Sequence, residues 1–209
     1  MRVYAIAPLA EHSKAYPQGA IYSTDAKKAT KLDAGNIRFW GLLMAARIHL
    51  SGIGSEVDFV MPYPGHCTAS KKSKLMGAVA VVSGSLRAQF VYDLIFRHED
   101  ADKSQTLRLG GGMPTIGNQL NSIRLNATAT RPGPKKEKYK NPPNIRGKTV
   151  LVVDDICTQG FSLEAARAFL EAAGATVILL SWLKTPGPND YHAIENLKPT
   201  LKKPFKAYT

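Results

Sequence analysis

Cysteine is almost missing from this 209-residue chain, which has only Cys67 and Cys157. Neither belongs to a Cys-x-x-Cys pair or stands at metal-ligand spacing from a histidine, so a structural zinc site and a disulfide framework are both excluded. Cys157 reads as a small buried hydrophobe, and Cys67 as a free thiol near a loop. Long apolar runs are also missing, and no stretch approaches the roughly 20 residues that a membrane-spanning helix needs. The opening Met1 to Pro8 is too briefly apolar for a secretory signal and reads as a first strand, which places the expected location in the cytoplasm. Acidic residues are few, 16 against 28 basic, and the resulting net charge of +12 favours phosphorylated or polyanionic partners. The basic residues are spread over Lys27-Lys28, Lys71-Lys72, Lys74, the run from Arg131 to Lys140 and the last dozen residues. No nucleic-acid motif accompanies them, so the charge leaves room only for weak nucleic-acid binding as a second property.

What the chain does have is one ordered stretch that carries chemistry. Val150 to Val153 is wholly apolar, as expected of a central parallel strand covered on both faces. Asp154 and Asp155 follow at its carboxyl end, where open α/β sheets bind ligands. Thr158 to Ser162 then leads into a helix with Leu163, Ala166, Leu170 and Ala173 on its apolar face and Gly174 as its stop. Backbone N–H groups of Gln159, Gly160, Phe161 and Ser162, with the hydroxyls of Thr158 and Ser162, can wrap a phosphate at that helix start. Two carboxylates touching the same phosphate would repel it, so they are better placed one sugar-length away. There they can accept hydrogen bonds from vicinal hydroxyls or hold a hydrated Mg²⁺.

The run of four apolar residues, Asp154-Asp155, Ile156-Cys157 and Thr158-Gln159-Gly160-Phe161-Ser162 resembles the phosphoribosyl diphosphate (PRPP) motif of the type I phosphoribosyltransferases. The resemblance implies that Asp154 and Asp155 bind the ribose hydroxyls and, through water, Mg²⁺, and that Thr158, Gln159, Gly160, Phe161 and Ser162 bind the 5′-phosphate. It further implies transfer of the phosphoribosyl group to a small nitrogenous base, with Asp155 assisting the proton of the nucleophile. Gln159 stands where the family has a second Thr, and Phe161 where it has a small residue. Two other expectations follow from the resemblance. Tyr63, Pro64, Gly65 and His66 follow a strand at Val57 to Met61 and resemble the loop that binds pyrophosphate. Lys103 and Arg108, ahead of the Gly110-Gly111-Gly112 run, are candidates for a basic side chain brought to the departing pyrophosphate by a closing loop. More narrowly, Arg97, Lys103-Ser104-Gln105 and Asn118 to Arg124 resemble the competence-associated (ComF-like) branch, although the cysteine-rich zinc module common at the start of those proteins is missing here.

The fold expected is α/β: a mostly parallel central sheet flanked by helices, in one domain over 1–209. Its core covers about 37–184, and a small hood comes from 1–36 and 184–209. Within the core, Ile37 to Leu50 reads as a helix burying Phe39, Leu42, Leu43, Ala46 and Leu50, with Trp40 in the core or an interface. Ser70 to Leu86 reads as a second helix, Gln89 to Arg97 as one alternating strand, 126–146 as an exposed excursion, and Val177 to Leu183 as a strand. Tyr191, Phe205 and Tyr208 are candidates to stack on a base. Oligomer formation is left open. The competing functional readings are a non-catalytic PRPP- or nucleotide-binding regulatory module and a DNA-associated accessory protein.

Overall fold

The apolar run at 150–153 does what its composition dictates and becomes the middle of a sheet. In the computed structural model the described residues are 3–8, 18, 21–22, 24–26, 34–66, 68, 74–101, 115–126, 130–131, 137–138 and 144–185. Strands β1 (Val3–Pro8), β2 (Phe59–Pro62), β3 (Gln89–Phe90), β8 (Thr149–Cys157) and β9 (Thr176–Lys184) form one parallel sheet in the order β1-β9-β8-β2-β3. Strands β4 (Ile95–Arg97) and β5 (Ile123–Leu125) pair antiparallel beside it, and β6 (Thr130–Arg131) pairs with β7 (Glu137–Lys138). The helices include α1 (Ala34–His49), α2 (Lys74–Leu86), α3 (Ile116–Ser122) and α4 (Phe161–Ala172).

The two-residue period of β8 divides its side chains between two cores. Leu151 and Val153 pack with Val60, Leu180 and Trp182 under α1 and α2, whereas Val150 and Val152 pack with Phe59, Met61 and Leu179 under α4. α4 buries Leu163, Ala166 and Leu170 as its spacing predicts. It ends where the Gly174 N–H donates to Glu171 O and the Ala175 N–H to Leu170 O, the paired bonds of a glycine-terminated helix. Asp58 fixes the start of β8, accepting from Lys148 Nζ and from the Thr149 N–H, each at 2.9 Å. The Thr149 amide and then Lys148 hold its carboxyl below the usual range. A lowered native pKa stabilises the fold above the unfolded value, and that stability is lost as pH falls through the native one. Asp58→Asn is therefore expected to lower stability at neutral pH by about 0.5–1 kcal/mol, a partly exposed pair being worth little more. Denaturant titrations should show the difference closing in acid.

Several expectations need correction. β1 pairs with β9 along Val3 to Pro8, so the first residues belong to the central sheet and not to a hood formed by 1–36. The motif strand runs on to Cys157 and carries both acids within it. β2 starts at Phe59 and includes Pro62, which lies opposite Val153 and beyond the reach of the short β3, where its missing N–H breaks no ladder. The stretch 89–97 is two strands in two sheets, because the chain turns a corner between Phe90 and Ile95 and buries Val91 and Leu94 there.

The expected buried face of α1 is also displaced. Phe39, Leu42, Ala46 and Leu50 are exposed and Leu43 is half-buried, while Gly41, Met44, Ala45 and Ile48 face inward. The reason is close helix packing: a Cβ on Gly41 would stand 2.6 Å from Val81 Cβ and 2.8 Å from Ala78 O of α2. Trp40 is half-buried and packs edge-on against buried Trp182, with centroids 5.1 Å apart. Gly41→Ala is expected to force α1 and α2 apart and cost about 1–3 kcal/mol, read as a lower denaturation midpoint.

Candidate functional site

The pleat of β8 separates the two acids. Asp154 falls on the α4 side with Val150 and Val152 and is half-buried; Asp155 turns the other way and is exposed. The Asp155 N–H donates to Asp154 Oδ1 at 2.9 Å and the Ile156 N–H to Asp155 Oδ1 at 2.8 Å, so backbone amides orient both carboxylates. Burial, and next the charge of Asp155, push the Asp154 carboxyl well above the usual carboxylate range. That raised affinity for a proton is what a hydroxyl donor or a cation would relieve.

Beyond Cys157 the chain turns through Thr158 and Gln159 to Gly160, which takes φ +76° and stands just before the first turn of α4. A left-handed residue at that point suits glycine and swings the chain sharply from strand to helix. As the N-cap residue, Gly160 supplies no side-chain cap to α4, and the first amides of the helix stand at the end that favours negative charge. Asp154, Gln119, Ile156, Cys157 and Thr158 to Leu163 line a pocket here with about 350 Å³ of empty space, part of it open solvent. In its wall the Gln159 Oε1 atom is buried without a hydrogen-bond partner among the described residues. A buried acceptor left so is costly until a donor meets it.

The segment after β2 reaches the same edge, since the Tyr63 N–H donates to Val153 O at 2.7 Å, immediately before the acid pair. Tyr63 itself is buried, Pro64 half-buried, and Gly65 and His66 exposed. The Tyr63 hydroxyl donates to Gln119 Oε1 at 2.8 Å and accepts from Arg97 Nη2 at 3.3 Å. Burial pushes its pKa up to about 12, which keeps it a neutral donor. The Arg97 Nη2 also donates to Gln119 Oε1 at 3.1 Å, so Tyr63, Arg97 and Gln119 form one polar cluster behind Asp154.

Over residues 85–200, more than half of the chain, the sequence matches the phosphoribosyl transferase domain family. The chain belongs to the phosphoribosyltransferase family. Solved structures similar to this phosphoribosyltransferase include the following three. For adenine phosphoribosyltransferase from Thermoanaerobacter pseudethanolicus the identity is 15%, with a TM-score of 0.40, 73% of this chain and 82% of that one. For orotate phosphoribosyltransferase from Aeropyrum pernix the values are 16%, 0.35, 73% and 73%. For a hypoxanthine phosphoribosyltransferase from Staphylococcus aureus they are 14%, 0.37, 82% and 90%. No curated protein matches the chain. Family membership rests on the domain match.

In this phosphoribosyltransferase the structure brings together Asp154, Thr158, Gln159, Gly160, Phe161 and Ser162 around the start of α4, with Tyr63 to His66 on the adjoining strand end, while Asp155 is exposed on the other side of β8. Lys103 and Arg108, proposed for the departing group, lie outside the described residues, as do Cys67, Lys71, Lys72 and the aromatic residues Tyr191, Phe205 and Tyr208. Tyr63 is a structural support of its loop and not an exposed member of it. Gln119 was not singled out from sequence, and neither was the buried state of Arg97. A charged residue two positions after Ile95, and so on the same face of a short strand as that buried side chain, was the available signal, because such a side chain has to find partners there. Among the described residues no helix is long and apolar enough to cross a membrane.

Proposed function

We propose that the protein binds PRPP with Mg²⁺ and transfers its phosphoribosyl group to a ring nitrogen of a small base, releasing pyrophosphate. The observation that carries this reading is the passage, within eight residues of β8 and its turn, from Asp154 to the glycine-led start of α4 around one pocket. The 5′-phosphate then sits against the amides of Gly160 to Ser162 with the hydroxyls of Thr158 and Ser162. Asp154 and Asp155 take the ribose hydroxyls one sugar-length away. The unpartnered Gln159 Oε1 suits a ligand hydroxyl, and the half-buried Phe161 narrows the pocket beside the phosphate.

The residues fit a substrate-borne metal. Two adjacent carboxylates are present, and no group of three or more His, Cys, Asp or Glu side chains is placed to hold an ion alone among the described residues. Mg²⁺ takes one or two carboxylates and completes its shell with substrate oxygens and water, and when bound it supplies charge neutralisation to the diphosphate. The chain's own part is to fix the sugar while the C1–O bond breaks and its electron pair leaves with pyrophosphate. The nitrogen lone pair forms the new C1–N bond, and the nitrogen's proton passes to Asp155 or to solvent. Held geometry and matched charge account for such a step without a covalent intermediate.

Calorimetric titration with PRPP in the presence and absence of Mg²⁺, followed by a screen of purine and pyrimidine bases for pyrophosphate release, tests the proposal. Saturable Mg²⁺-dependent binding and release with one base class is the expected result. An absence of PRPP binding at millimolar concentration would overturn it.

A further inference from the structure

All described peptides are trans, and a trans peptide points its carbonyl and the following N–H in opposite directions. The carbonyls of Gly65 and His66 both face the segment that leaves β4. Gly65 O accepts from Arg97 Nε, and His66 O accepts from the Ala101 N–H at 2.9 Å. A third tie runs in the other sense, from the Thr68 N–H to Asp100 Oδ1 at 2.6 Å. With its carbonyl partner taken by Arg97, the peptide between Gly65 and His66 turns the His66 N–H away from this segment.

Arg97 is 7% exposed, an unusual state for a guanidinium. Its remaining hydrogen bonds go to neutral oxygens of the protein, Ser122 Oγ, the Tyr63 hydroxyl and Gln119 Oε1, and its guanidinium lies over the Tyr63 ring, 5.8 Å from the centroid. The planar fork thus reaches the loop backbone, the side chain under the loop and helix α3 at once. A group so engaged acts through the loop that it holds.

We propose that Arg97 is a positioning residue, clamping Gly65, His66 and Thr68 together with Asp100 and Ala101, and so setting the direction of the His66 backbone donor toward a diphosphate anion. The identity of that anion rests on the proposed phosphoribosyl transfer; the clamp does not. The clamp governs affinity for pyrophosphate and leaves the 5′-phosphate cradle at α4 alone. Asp100 gives it a distinctive sign. Electrostatics alone would make loss of this carboxylate improve anion binding, whereas loss of a tie to Thr68 makes it worse.

Calorimetry with inorganic pyrophosphate and, separately, with ribose 5-phosphate tests this on the full chain and on Arg97→Gln, Arg97→Lys, Asp100→Ala and Asp100→Asn. Amide hydrogen exchange at Thr68 and Ala101 is read without ligand. Arg97→Gln is expected to weaken pyrophosphate at least about tenfold, as for a lost hydrogen bond to a charged group, with ribose 5-phosphate affinity kept. Arg97→Lys recovers only part, because an ammonium lacks the fork. Asp100→Ala weakens pyrophosphate despite removing a negative charge, and Asp100→Asn, which keeps an acceptor for Thr68, restores it. Exchange quickens at Ala101 in Arg97→Gln and at Thr68 in Asp100→Ala. Tighter pyrophosphate binding by Asp100→Ala, or equal losses for both ligands in Arg97→Gln, overturns the proposal. If the unaltered protein binds neither anion, the proposed reaction fails, and exchange decides the clamp: unchanged rates at both amides overturn it, quickened rates uphold it.

Discussion

Replacing Asp154 and Asp155 together by asparagine is expected to lower PRPP affinity by at least about 100-fold, since each carboxylate contributes charge-assisted hydrogen bonds to a hydroxyl or to hydrated Mg²⁺. The loss should appear in calorimetric titrations, with the far-ultraviolet spectrum unchanged. The same change has an opposite effect on the empty protein. The Asp154 carboxyl is held well above its usual range by burial and by Asp155. For an acid whose native pKa is raised, stability is complete below the unfolded value and is lost as pH rises through the native one. At neutral pH, Asp154→Asn alone is therefore expected to melt above the unaltered protein without ligand. The difference should grow as pH climbs through the native pKa of Asp154 and vanish in acid. A variant that both binds PRPP normally and melts normally at neutral pH would remove Asp154 from the site.

The second large effect is expected at Gly160. Its φ of +76° makes a β-branched residue strained, so Gly160→Val should cost about 1–2 kcal/mol of stability and also block the cradle. Asparagine tolerates the left-handed region, which separates the two consequences. Gly160→Asn is expected to melt close to the unaltered protein while its affinity for ribose 5-phosphate falls at least about tenfold, the cost of a backbone donor that a side chain has displaced from a charged oxygen. Undiminished affinity in Gly160→Asn would mean that the phosphate rests elsewhere.

How far the sequence could be read depended on what each residue answers to. β8 and α4 were legible because continuous apolar residues and then a spaced apolar stripe ending at Gly174 are local signals with one sensible packing each. The acids and the turn were legible as the late part of a strand and the approach to a helix, although the division of Asp154 and Asp155 between the two sides of the sheet appears only once the strand is seen to continue to Cys157. α1 shows the limit. Its helical period was plain, yet hydrophobicity selected Phe39, Leu42 and Leu50, whereas the packed side is chosen by how closely Gly41 lets α1 approach α2. No property of residues 34–49 alone contains the position of Val81. The corner between Phe90 and Ile95 was hidden similarly, because alternation persists through a turn that buries Val91 and Leu94. Arg97 could be noticed as a charged strand end. That its partners are the Gly65 carbonyl, Tyr63, Gln119 and Ser122, drawn from two segments distant in sequence, is a fact of the tertiary fold.

One consequence of β8 concerns how such a protein can change over generations. The strand stays in register with β9 from Thr149↔Thr176 through Asp154↔Ser181 to Cys157↔Lys184, so Asp154 and Asp155 stand on a hydrogen-bonded ladder and not on a hinge. Substitutions that reshape the surrounding loops can accumulate without displacing the two carboxylates, because the ladder and the cores on both sides fix them independently. The place proposed to hold a sugar is in this way insulated from drift in whatever decides its partner, and a new acceptor could be acquired while the old anchor goes on working.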